Sequence, residues 1–221
     1  MALQVNPAPE LWLSGDDLAA WREVPVAVAG DELNRTQMMA AAIKPVAPGM
    51  GFAGLALTVG IMVGDNAPMH YALADAWPGA VLVVDAKGYE DTAVWGGIMH
   101  YAAARKGLAA VVFDGALRDV AELRSSGLPA FCRAIVPAGP HKGFGGAING
   151  PIQCGGVPVN PGDLVLGDDD GVVVIRPDQM EGLLERCRAR MANEEKMLAA
   201  IDAGKTTVEL LGLPPAEEIG K

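Results

Sequence analysis

Cysteine is scarce in this sequence: Cys132, Cys154 and Cys187 are the only three among 221 residues. An odd number at wide spacing builds neither a disulfide framework nor a Cys-x-x-Cys metal knuckle, so they read as reduced, mostly buried thiols. Positive charge is short as well, with 17 Lys and Arg against 27 Asp and Glu and a formal net charge of −10. That imbalance argues against nucleic acid or an anionic membrane as a partner. It does not exclude a small anion, which a local pocket of Arg and backbone N–H groups can hold against the global field. Long hydrophobic runs are missing too. The longest, 52–64, is interrupted by Gly and too short to span a bilayer, and the start MALQVNPAPE has neither the basic nor the apolar region of an export signal. A cytoplasmic location is expected.

What is present suits one substantial core. Hydrophobic residues are 51% and charged residues 20% of the chain, and no repeat or low-complexity linker marks a boundary, so 1–221 reads as a single domain. Residues 1–50 read as a helical lead-in. Ser14-Gly-Asp-Asp supplies N-cap chemistry for one helix, and Asp31-Glu-Leu-Asn-Arg is expected to begin a second. FAGLALTVG, AVLVVDA and AAVVF are continuous apolar runs, as strands covered on both faces require. Between the last two lie a loop and a helix over 97–106, closed by Gly107. This βαβ unit makes the chain α/β and puts the helix amino end and the strand carboxyl ends on one edge, where ligands bind.

After Ala130 the strands become rich in Gly and Pro and read as more antiparallel: Gly-Phe-Gly-Gly, Cys154-Gly-Gly-Val-Pro-Val, and a hairpin at Asp168-Asp-Asp-Gly171. A closing helix over 177–204 carries an apolar stripe of Met180, Leu183, Leu184, Cys187, Met191, Leu198 and Ile201, stopped by Gly204.

The edge of the βαβ unit holds the strongest chemical constellation. Gly96 and Gly97 open a helix whose first amides, through Ile98 and Met99, can meet a carboxylate with the helix dipole behind them. AAVVF runs into Asp114-Gly-Ala-Leu-Arg118-Asp119, where Arg118 offers a forked cation for a carboxylate or an enolate. Asp119 suits a hard divalent cation, and Glu122 follows one turn along the same face. Read as local structure alone, Asp119 is equally an N-cap and Glu122 its capping-box partner.

The segment WGGIMHYAAARKGLAAVVFDGALRDVAEL resembles the RraA-like family, which contains 4-hydroxy-4-methyl-2-oxoglutarate aldolases, oxaloacetate decarboxylases and the regulator of ribonuclease activity A. The similarity runs from GDNAPMHYA at Gly64 to GDDDGVVVIRP, about half of the chain, while the first fifty residues match poorly. The family's aldolases place an Asp, twenty residues, then Arg-Asp. A second form has Gly at the first place and adds an acid three positions after the last Asp. Gly97, twenty residues, Arg118-Asp119 and Glu122 resemble that second form.

The resemblance implies a compact β/β/α swivelling fold, assembled as a homotrimer or homohexamer with sites between subunits. It implies a carbon-carbon lyase acting on a small 2-oxo acid through a pyruvate enolate. Mg²⁺, Mn²⁺ or another divalent metal would be held by Asp119, with Glu122 assisting directly or through water, and Arg118 would stabilise the enolate. Because Gly97 stands where many of the aldolases carry an Asp, oxaloacetate decarboxylation is the safer expectation. Aldol cleavage of 4-hydroxy-4-methyl-2-oxoglutarate or 4-carboxy-4-hydroxy-2-oxoadipate stands beside it. The rival expectation is a non-catalytic regulator that binds an RNA-processing enzyme. Members of that branch can lack the metal-binding Asp, which this chain retains.

Other candidates have plain alternatives. Asp65 and Asn66 can line the site or cap the helix carrying His70. His70, His100 and His141 have no metal-ligand spacing and read as core or surface residues, His70 being the preferred exception because the resemblance covers its helix. Lys142, like Lys87, could meet a second substrate carboxylate or simply be solvated. Asp168 to Asp170 read as a turn. Glu194 and Glu195 on the closing helix could reach a neighbouring subunit's site or form an exposed face. Gly204-Lys205-Thr206 lacks the first glycine of a phosphate loop, and 143–150 has Ile148 where a dinucleotide fingerprint needs Gly.

Overall fold

The computed structural model describes residues 2–143 and 145–216. Phe144 of the Gly-Phe-Gly-Gly stretch lies outside them.

The amino-terminal part contains β1 (Ala2–Val5), α1 (Gly15–Arg22), α2 (Val26–Glu32) and β2 (Lys44–Pro45). Ser14 caps α1 as its sequence suggests, exchanging hydrogen bonds with Asp17 in a capping box. The second helix is a correction, for α2 ends where Asp31-Glu-Leu-Asn-Arg is expected to begin one. Pro25 sets its start with a fixed φ, Val26, Val28 and Ala29 are buried, and left-handed Asn34 and Arg35 end it. The lead-in is also not purely helical, because β1 pairs parallel with a later strand.

The middle of the chain builds β3 (Phe52–Ile61), α3 (Ala67–Asp75), β4 (Ala80–Trp95), α4 (Gly97–Lys106), β5 (Ala110–Leu117) and α5 (Val120–Ser125). β3, β4 and β5 are parallel neighbours. β4 runs through the segment expected to be a loop, and its register against β5 shifts between Val84 and Trp95. Gly107 closes α4 at φ 76°, a conformation that costs Gly little.

Short strands follow: β6 (Ala130–Cys132), β7 (Ala134–Ile135), β8 (Gly145–Ile148), β9 (Ile152–Cys154), β10 (Val157–Val159), β11 (Leu164–Asp168) and β12 (Gly171–Ile175). The pairs β9/β10, β11/β12, β3/β8 and β3/β11 are antiparallel. The main sheet runs β1-β8-β3-β4-β5-β6-β2, with β11 and β12 extending from β3. A 3-10 turn, Pro177–Gln179, precedes α6 (Leu183–Asp202), so the closing helix starts later than expected, and α7 (Thr207–Leu211) is the last element among the described residues.

Period-2 alternation divides the core between two faces. Val165, Val172 and Val174 join one cluster with α3 and α4, while Leu164, Leu166, Val173 and Ile175 join a second with α1, α2 and α6. In α6 the stripe divides as well. Leu183 and Cys187 are buried, Leu184 and Met191 pack against the second cluster, and Leu198 and Ile201 are exposed. The result is a mixed α/β fold with N-terminal helices and a long C-terminal helix.

Candidate active site

The carboxyl ends of β4 and β5 meet where Arg118 N–H donates to the Trp95 carbonyl at 3.0 Å. Beyond Trp95, Gly96 is the extended N-cap of α4 and offers no side chain. The first backbone bond of this helix is His100 N–H to the Gly96 carbonyl. The Gly97 amide donates to Asp119 Oδ2 at 2.9 Å. The amides of Ile98 and Met99 have no acceptor among the described residues, as the first turn of a helix leaves them. Open amides at a helix amino end are suited to receive an anion.

Asp119 precedes α5 with φ 59°, in the left-handed region, and its side chain makes no capping bond. The capping-box alternative is therefore overturned: the Asp119 carboxylate turns to α4 and leaves its own helix uncapped. A non-Gly residue held there stores about 1 kcal/mol or more of backbone strain, a feature that clusters at functional sites.

The Arg118 side chain lies where two glycines leave room for it. A Cβ on Gly96 would lie 3.1 Å from Arg118 Nε and 2.5 Å from Asp119 Oδ2, and one on Gly139 would lie 2.7 Å from Arg118 Nη1. Arg118 thus runs between two glycine backbones, with its Nε 3.5 Å from Asp119 Oδ2. A Cβ on Gly97 would lie 1.8 Å from Glu122 Oε2, so the Glu122 carboxylate occupies the place where a side chain on Gly97 would start.

Gly96, Ile98, Met99, Arg118 and Asp119 border a pocket of about 300 Å³ that Asn66, His70, Pro140 and Lys142 complete. Asn66 is buried, donates to Met99 Sδ at 3.4 Å, and leaves its Oδ1 unpartnered among the described residues. Partial desolvation, then the nearby Lys142 charge, hold the exposed His70 imidazole below its usual range, which favours its neutral form.

A family model described as Aldolase/RraA matches residues 26–174. The chain belongs to the RraA-like family. The match begins well upstream of Gly64, within the first fifty residues, where the resemblance to the family's motifs is weak. A Halalkalibacterium halodurans protein, provisionally named a 4-hydroxy-4-methyl-2-oxoglutarate aldolase, is 38% identical over 84% of this chain and 89% of its own. The Thermus thermophilus 4-hydroxy-4-methyl-2-oxoglutarate aldolase is 36% identical over 60% of this chain and 79% of its own. Among solved structures, Streptomyces coelicolor RraAS2, described as an unusual member of the RNase ES inhibitor RraA protein family, superposes with a TM-score of 0.78. It is 28% identical over 85% of this chain and 98% of its own.

Within this RraA-like frame, Gly96, Ile98, Met99, Arg118, Asp119, Asn66, His70 and Lys142 border one pocket, and Gly97 and Glu122 form the wall beside it. Asp65 is a buried tether, accepting from the Ala67 and Gly145 amides, and so fixes the start of α3 against β8. Glu194 and Glu195 lie on α6 and border none of the pocket; Glu194 pairs with Arg190. Lys87 pairs with Asp85. Asp168 and Asp169 accept from the Val26 and Gly49 amides, as turn residues. His100 is buried between Trp95 and Ser126. Sequence reasoning missed Gly139 and Pro140. Their adjacency signals a turn, but no local pattern shows that Arg118 lies against it.

Among the described residues no group of three or more His, Cys, Asp or Glu gathers as a metal cage. A hard cation such as Mg²⁺ needs less, since it keeps several waters and takes one or two carboxylates. Asp119 and Glu122, both in contact with the Gly96-Gly97 backbone, fit that donor set.

Proposed function

We propose that this protein is a divalent-cation-dependent carbon-carbon lyase for small 2-oxo acids, working through a pyruvate enolate. Its expected reactions are oxaloacetate decarboxylation and aldol cleavage of 4-hydroxy-4-methyl-2-oxoglutarate or 4-carboxy-4-hydroxy-2-oxoadipate. The observation that carries this reading is Arg118 lying between Gly96 and Gly139, in the same pocket as the open amides of Ile98 and Met99. The aldolase names of two relatives support it.

The Ile98 and Met99 amides receive the C1 carboxylate at the positive end of α4. The Arg118 guanidinium then lies beside the 2-oxo oxygen. When the C3–C4 bond breaks, its electron pair moves into the C2 carbonyl, and the charge arriving on that oxygen meets a donor already in place. In decarboxylation C4 leaves as CO₂, and C3 takes a proton to give pyruvate. In aldol cleavage the C4 hydroxyl must also lose its proton, and neutral His70 is the imidazole in the pocket that can accept it. Lys142 supplies charge for a second carboxylate. A divalent cation on Asp119 and Glu122 would add Lewis-acid polarisation of the 2-oxo group.

The test is coupled detection of pyruvate from each acid, with decarboxylation by metal alone subtracted. Activity should require added divalent metal, vanish with chelator and fall at least about 100-fold in Asp119→Ala. Full activity in that variant sinks the assignment. The likeness to RraAS2 favours a second reading, a regulator that binds an RNA-processing enzyme. Tight binding to a ribonuclease E-type enzyme by a protein inactive on all three acids would establish it.

A further inference from the structure

Trp95 and His100 are each 1% exposed, yet both carry polar ring atoms, and every such atom is paired. The Trp95 indole N–H donates to His100 Nδ1 at 3.2 Å. Indole can only donate, so Nδ1 is the unprotonated nitrogen and Nε2 carries the hydrogen. At the other end, His100 Nε2 lies 2.7 Å from Ser126 Oγ. That hydroxyl donates its one proton to the Leu123 carbonyl at 2.9 Å and accepts from the Leu128 amide at 3.1 Å, leaving it an acceptor toward His100. The two ends specify the same neutral tautomer independently. Burial, which disfavours the imidazolium, agrees.

This connected set spans the site. Trp95 accepts the Arg118 amide through its backbone, immediately ahead of α5. Through its side chain it reaches His100, Ser126 and the Leu123 carbonyl at the far end of the same helix. α5 has six residues, too few to keep its place by its own hydrogen bonds, and only Leu123 of it is buried. Both of its ends are referred to one tryptophan.

We infer that His100, as its Nε2–H tautomer, is a positioning residue that holds α5 so that Asp119 and Glu122 sit against the amino end of α4. The inference rests on the lyase reading for its kinetic part alone. His100 borders the space behind Gly97 and not the Arg118 pocket, so it acts through α5. Displacing a reacting constellation by about 1 Å costs up to about 100-fold in rate.

The experiment compares wild type with His100→Leu, His100→Gln and Ser126→Ala. His100→Leu keeps the apolar volume and removes both bonds, His100→Gln returns an amide able to donate to Ser126, and Ser126→Ala cuts the exposed end. We expect kcat to fall about 10-fold or more in His100→Leu with KM changed less than about threefold, and to recover partly in His100→Gln. Nitrogen NMR should show a pyridine-like Nδ1 and a protonated Nε2 on His100. Hydrogen exchange at the Gly97 amide, which Asp119 holds, should speed about 10-fold in His100→Leu and Ser126→Ala. Unchanged kcat and Gly97 exchange in a folded variant overturn the inference, as does the opposite tautomer. If His100→Leu fails to fold, Ser126→Ala decides the matter by the same measures. A wild type without lyase activity refutes the proposed function, while the NMR and exchange results still decide this point.

Discussion

Replacing Gly97 by Asp tests how the acidic wall of the site is built. A Cβ there would sit 1.8 Å from Glu122 Oε2, against an ordinary contact of at least 3.4 Å, so the carboxylate must retreat by at least the difference, 1.6 Å. Because Glu122 is an exposed, flexible side chain, steric cost alone is small. The charge is harder to accommodate. Two carboxylates about 4 Å apart repel by about 1 kcal/mol in water and about 4 kcal/mol at an effective dielectric of about 20. Partial exposure places G97D between those limits, about 1–3 kcal/mol less stable at neutral pH, with the loss reduced by salt. Adding Glu122→Ala removes the competitor and restores the original count of carboxylates, Asp119 and one now carried by α4. Pyruvate release should fall to about a tenth or less in G97D and return to within about threefold of wild type in the double variant. Thermal unfolding in low and high salt, run beside the coupled assay, reads both quantities. If Glu122→Ala is equally harmful with Gly97 intact and in the G97D background, the two side chains do not share one place and the reasoning fails.

Further outcomes follow from the same structure. Gly139→Ala should fold, because Gly139 is not among the left-handed positions, yet lose at least about 10-fold in kcat as its methyl displaces Arg118; wild-type turnover would show that Arg118 is not clamped there. His70 and His100 are both held below their ordinary value of 6.5, so the unfolded chain gains protons before the folded one does. Stability should be full above about pH 7.5 and decline as pH falls through 6.5, by linkage. Denaturant unfolding between pH 7.5 and 5.5 should show a flatter slope in His100→Leu, and an unchanged slope removes His100 from that account.

The parts of this fold legible in the sequence are those that local physics decides alone. α4 is bounded by Gly96 and Gly107, and the hairpin at Asp168 to Gly171 joins two valine-rich strands, so periodicity and turn chemistry are enough. Local signals misplace the second helix because acidic residues at 31 and 32 suggest a helix start, while the deciding facts, burial of Val26 and Val28 on β11 and β12, are tertiary. β1 is invisible in the sequence because it is a four-residue edge strand whose partner lies some 140 residues later. In the site, the pairing of Arg118 with Asp119 is readable from spacing. The role of Gly139 and the His100 bridge are not, because each depends on a neighbour brought from a distant segment by β5 and α5. Asp119 and Glu122 admit two local readings, and what separates them is the left-handed backbone at Asp119 and the turn of its carboxylate to Gly97.

That left-handed backbone separates what folding needs from what chemistry needs. Asp119→Gly would relieve about 1 kcal/mol of strain while forfeiting a hydrogen bond worth about 0.5–1.5 kcal/mol, so it should be close to neutral for stability. Asp119→Ala keeps the strain and loses the bond, so it should be the less stable of the two by about 1 kcal/mol. Asp119 is then a position where a generation of variants screened only for foldedness would drift to glycine. If stability alone governed this position, glycine would serve as well as aspartate, and a stability screen that enriches glycine there would make that division visible.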